Sequence, residues 1–78
     1  MNSLPQKLRD ECAKFKLTVR QTEAFGLLAC GRTQKETADL MGCSVRTVEA
    51  HSTRARQKIG APNTAGAVTR LFLADMLK

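Results

Sequence analysis

The chain has 78 residues and a net charge of +6, with 13 Lys and Arg against 7 Asp and Glu. That length is one domain, which hides only about 60% of the surface its unfolded form exposes, so oligomerisation would be a natural supplement. No apolar run approaches the roughly 20 residues of a membrane span and no signal-peptide core opens the chain, so a soluble, cytoplasmic protein with a polyanionic partner and no membrane partner is expected.

In chain order, Pro5 suits the first turn of a helix running to about Lys14, with Leu4, Leu8, Cys12 and Phe15 recurring at helical spacing. Residues 1–16 are thus expected to be a helical N-terminal extension. Thr18 and Gln21 have the spacing of a capping box, in which a hydroxyl takes an orphan N–H and the amide reaches back. The helix that follows presents Ala24, Leu27, Leu28 and Phe25 inward and stops at Gly31. Thr33 and Glu36 form a second capping box; they open a short helix with Ala38, Leu40 and Met41 inward, closed by Gly42. Ser44 caps a third helix from Val45 to about Ile59, and Gly60 ends it.

A last helix starts at Asn63 or Thr64 and covers Ala65 to Leu77. At about 100° per residue Val68, Leu71, Phe72 and Met76 form one apolar stripe. Leu73 and Leu77 fall on a different side, with Thr69, and predict a dimer interface with a second copy of the chain. The expected fold is all-α, a bundle of four to five helices around a central helix-turn-helix.

That central pair of helices carries the functional signal. From Ser44 to Gly60 the chain has Arg46, Arg54, Arg56 and Lys58 against the single acid Glu49. On a helical projection Val48, Ser52, Ala55 and Ile59 must face the core. The opposite face holds Arg46, Ala50, Thr53 and Gln57, flanked by Glu49 and Arg54. Those residue types match base edges in the major groove of double-stranded DNA. Arg suits guanine, Gln adenine and Glu cytosine, while Ala or Thr meets the thymine methyl. Arg46, Glu49, Ala50, Thr53, Arg54 and Gln57 are therefore the expected base contacts. Thr33, Lys35, Ser44, Thr47, Arg56 and Lys58 are the expected backbone contacts, which fix register without reading sequence. His51 lies between the two faces and reads as structural.

Cys12, Cys30 and Cys43 are an odd set without a C-x-x-C pair, which argues against a disulfide framework or a zinc ribbon. They are expected to be small buried hydrophobes. No paired acid and base, nucleophile with a base, or phosphate-binding glycine loop is present, so neither an enzyme nor a cofactor is expected.

From Leu17 to Val68 the sequence resembles the LuxR-type (GerE/NarL-like) DNA-binding domain. The resemblance rests on Leu17-Thr18-x-Arg20, Glu23, Leu28-Ala29-x-Gly31, Lys35-Glu36-x-Ala38, Leu40-x-x-x-Ser44, Thr47-Val48-x-x-His51, Lys58-x-Gly60 and Ala67-Val68. It makes residues 17–78 the domain, and implies four helices of which the third reads the major groove and the fourth mediates dimerisation. By position it implies base contacts at Glu49, Ala50 and Thr53, and backbone contacts at Lys35 and Thr47. The chain departs from the family at Gln21 (usually Glu), Thr37 (usually Ile) and Thr64 (often Arg). Ser52 and Ala55 replace large apolar residues, so a thinner core is expected under the third helix. Only residues 1–16 precede the domain, so no fused sensor is expected on this chain.

The leading expectation is a homodimeric, sequence-specific transcription regulator reading the major groove with residues 45–58. Two alternatives stand beside it. One is a region-4-like module of a sigma factor; the other is an antagonist that heterodimerises with longer LuxR-type regulators. An activator would also need a contact with RNA polymerase, for which no surface is legible.

Overall fold

The computed structural model describes the backbone of residues 4–76 and the side chains of residues 4–71. The helices, in order, are α1 (Gln6–Lys14), α2 (Val19–Ala29), α3 (Gln34–Met41), α4 (Val45–Ile59) and α5 (Thr64–Met76). No strand occurs among the described residues, and no helix there is long and apolar enough to cross a membrane.

Local chemistry sets most of the boundaries. Thr18 accepts from the Gln21 N–H while the Gln21 amide accepts from the Thr18 N–H, both at 3.1 Å. Thr33 and Glu36 repeat the device at 3.0 and 2.9 Å. Ser44 Oγ accepts from the Thr47 N–H at 3.1 Å. Asn63 Oδ1 accepts from the Gly66 N–H at 2.7 Å, which makes Asn63 the cap of α5. Each bond satisfies a donor that a helix start otherwise leaves orphaned. Gly42 ends α3 at φ +68°, a left-handed turn that a side chain would strain, and so redirects the chain into α4 within three residues. The turn after α1 uses Lys16 at φ +64° instead of a glycine. There the Lys16 and Leu17 N–H groups close onto the Ala13 and Cys12 carbonyls.

Helix α2 is the central post, packed against all four other helices. Its Phe25 joins Leu8 and Cys12 of α1, Ala55 and Ile59 of α4, and Ala67 and Leu71 of α5 in one buried cluster. Its Ala24 and Leu27 join Leu4, Ala38 and Met41 of α3, and Val48 of α4 in a second. Helix α4 is thereby anchored twice, its N-terminal half on α2 and α3 and its C-terminal half on α2 and α5. Full burial of one such Phe, Leu or Ile contributes about 1.5–3 kcal/mol. The expected extension is part of this core, because Leu4, Leu8 and Cys12 are all buried. Gly26 makes the close approach of Leu4 possible: a Cβ there would lie 2.7 Å from Leu4 Cδ1.

The structure corrects two of the expected burials. Leu40 is 60% exposed, and Thr37, with no exposed surface, joins Ala38 and Met41 on the inward face. Leu40 lies about 100° around the helix from the centre of that face, so α3 cannot bury both positions. Of the cysteines, Cys12 is buried and Cys43 half-buried, whereas Cys30 is exposed. Cys30 is the C-cap of α2, where the chain leaves the core. The side chains of Phe72, Leu73 and Met76, and the whole of Leu77, lie outside the described residues; Thr69 is exposed.

Candidate nucleic-acid interface

Helix α4 divides into two faces of opposite character. Val48, Ser52, Ala55 and Ile59 are each 2% exposed or less. Ser52 is tolerated there because its hydroxyl donates to the Glu49 carbonyl of its own helix at 3.2 Å. With Ala55 it occupies little volume, yet both lie against the core, so the thin positions still seat α4. On the other side Arg46, Glu49, Ala50, Arg54 and Gln57 are exposed and Thr53 is half-buried. These six residues, all the expected base contacts, line one shallow depression.

Most polar heads on this face are unspent. The side chains of Arg46, Glu49, Arg54 and Gln57 have no hydrogen bond or ion pair among the described residues. Arg56, on the edge of the face, is turned inward and donates to Thr53 Oγ1 at 3.2 Å and to Ser52 Oγ at 3.5 Å. Open donors and acceptors on a rigid, doubly anchored rod are what direct readout of base edges needs.

The expected backbone contacts differ among themselves. Lys35 is exposed in the first turn of α3, without a partner among the described residues. Thr33 is committed to its cap, and its N–H and hydroxyl hold the Glu36 carboxyl below the usual carboxylate range. Ser44 caps α4 and its hydroxyl lies 3.0 Å from that of Thr47. Lys58 is turned away from the open face. Its Nζ donates to the Lys16 carbonyl at 3.0 Å and to Gln21 Oε1 at 2.8 Å.

Those last bonds belong to a bracket that sequence reasoning missed. Arg20 donates to the Met41 carbonyl at the end of α3, at 3.1 Å, and pairs with the buried Glu23 at 3.5 Å. Gln21, one residue on, takes Lys58 from the last turn of α4. Two adjacent side chains in the first turn of α2 therefore hold the C-terminal ends of α3 and α4. Gln21 and Glu23 are 7% and 5% exposed, and an apolar periodicity cannot mark buried polar residues whose partners lie far along the chain. His51 is half-buried, and no cluster of three or more potential metal ligands occurs among the described residues.

A short capped α3, a left-handed turn and an α4 with one buried and one open polar face make up a helix-turn-helix, the class of fold that DNA-binding domains use. A family model for bacterial regulatory proteins of the luxR family matches residues 16–71, and the chain belongs to that family. It is 36% identical over 52 residues to the transcriptional regulatory protein MctR of Rhizobium johnstonii, covering 67% of this chain and 24% of MctR. It is 40% identical over 56 residues to the spore germination protein GerE of Bacillus subtilis, covering 72% of this chain and 76% of GerE. The chain thus spans about a quarter of the first relative's length and three quarters of the second's. No solved structure matches at comparable stringency.

Proposed function

We propose that this chain is a cytoplasmic, sequence-specific regulator of transcription that lays α4 in the major groove and binds as a homodimer through α5. The observation that carries the reading is the contrast across α4. One face is buried, while Arg46, Glu49, Arg54 and Gln57 on the other are exposed and without a partner among the described residues. Water can also solvate such a face, but here it follows a capped α3 and a left-handed turn, and its residue types match base edges.

Lys35 and the caps at Ser44 and Thr47 support phosphate contacts at the starts of α3 and α4, where helix N-termini favour anions. The sequence pattern of Leu73 and Leu77 supports a second apolar face at the end of the chain, and a dimer would place two α4 helices on two half-sites.

Selection of bound fragments from random duplex DNA tests the reading. A reader enriches one sequence, in paired half-sites if dimeric, and Arg46→Ala with Arg54→Ala abolishes the enrichment. An antagonist that pairs with longer family members enriches nothing alone, and those substitutions leave its effect intact. If the protein activates, contact with RNA polymerase appears as lost transcription with operator binding retained.

A further inference from the structure

One acidic side chain stands among the base-reading candidates. Glu49 is exposed, and its carboxylate has no partner among the described residues although Arg46 and Arg54 line the same depression. On a surface that meets DNA this is costly. The duplex carries one negative charge per roughly 1.7 Å of axis, and a carboxylate brought into its groove is repelled. An ionised carboxylate only accepts hydrogen bonds. In the major groove guanine offers O6 and N7 and thymine offers O4, all acceptors that oppose it. Adenine offers an N6 donor beside the N7 acceptor, and cytosine an N4 donor with no acceptor on its own major-groove edge.

We propose that Glu49 determines specificity by exclusion: it weakens binding to DNA in general and is satisfied only where a half-site presents a cytosine amino group to it. The neighbours fit a C·G pair there. Ala50 adds no bulk or competing polar group beside the carboxylate, and Arg46, one turn toward the start of α4, suits the O6 and N7 acceptors of a nearby guanine. The inference rests on α4 occupying the groove, and it names the base-pair class that α4 selects.

The test repeats the random-duplex selection with the intact chain, Glu49→Ala and Glu49→Gln. Binding to the selected duplex and to a scrambled one is then measured at one salt concentration. The intact chain should require cytosine at one position of each half-site. Changing that base should weaken binding by about 5- to 150-fold, the range for one good base contact. Glu49→Ala should lose the preference at that position alone and bind the scrambled duplex more tightly than the intact chain. Glu49→Gln should move the preference toward adenine, which an amide pairs through N6 and N7. Because Glu49 is exposed, thermal melting should be unchanged and serves as the folding control.

An unaltered preference in Glu49→Ala overturns the inference and leaves groove reading standing. So does a loss on the selected duplex with the scrambled one unchanged, which would make Glu49 an ordinary attractive contact. If the intact chain selects no sequence, groove reading falls and the inference with it.

Discussion

Thr37 has no exposed surface, and its hydroxyl oxygen has no hydrogen-bond partner among the described residues. A buried polar group left unpaired costs about 1–3 kcal/mol, and an isosteric apolar replacement removes that cost. Thr37→Val should therefore stabilise the domain by about 1 kcal/mol, read as a higher urea midpoint at unchanged slope; a lower midpoint would mean that the hydroxyl has a partner after all. Ser44→Ala should cost about 1 kcal/mol, because it removes the acceptor for the Thr47 N–H. Cys12 tests the core on the other side of α2. Burial, helped by the adjacent Glu11, pushes its thiol up to about 11 from 9.0. A thiol raised in the folded state stabilises fully below its unfolded value and loses that contribution as the pH climbs through about 11. Stability should accordingly fall from about pH 9 to 11, and Cys12→Ala should show a shallower fall; an identical slope would contradict the assignment. At neutral pH a thiol reagent should label the exposed Cys30 first and Cys12 last.

At the scale of elements, the first turn of α2 sets the pose of α4. Lys58 belongs to that bracket through Lys16 and Gln21, so two of its three N–H donors are already engaged within the molecule. Lys35 is exposed and unengaged. The two lysines should therefore part company in a salt titration of DNA binding. Lys35→Ala should lower the slope of log K against log[salt] by about 0.9, the value for one lost phosphate contact. Lys58→Met should weaken binding with the slope preserved, because it loosens the support of α4. A slope change for Lys58→Met and none for Lys35→Ala would reverse the two roles.

The sequence made this part of the molecule partly legible. Capping boxes at Thr18 and Thr33, the glycine at 42 and the phase of α4 are local patterns, and local hydrogen bonds enforce them. The outward turn of Leu40 and the inward turn of Thr37 were hidden, because on an eight-residue helix hydrophobicity alone does not choose the face. The bracket was hidden for another reason. Its bonds join residues 21, 37 and 42 positions apart, beyond the reach of any periodicity. On the open face, the six residues expected at the base edges do line one depression, because helical phase alone brings them together.

At the scale of the whole molecule, the N-terminal helix is built into the same core as the family domain. The family match begins at residue 16, yet Leu4, Leu8 and Cys12 upstream of it are buried against α2 and its neighbours. Leu8→Ala should cost about 2–5 kcal/mol, as large-to-small changes in cores do; a loss below about 1 kcal/mol would make α1 an appendage. The proposed dimer has its own test. Leu73→Asp with Leu77→Asp should give a folded monomer with weak operator affinity, and an unchanged mass by sedimentation would remove the second copy from the account.

The central claim is that the open face of α4 meets base edges. Chemical-shift mapping of the labelled protein, titrated with its selected duplex, tests this most directly. The largest shifts should fall at residues 46–57, with smaller ones at the starts of α3 and α4 and none on the outer face of α1. Shifts centred on α1 and α2, with residues 46–57 unmoved, would contradict it.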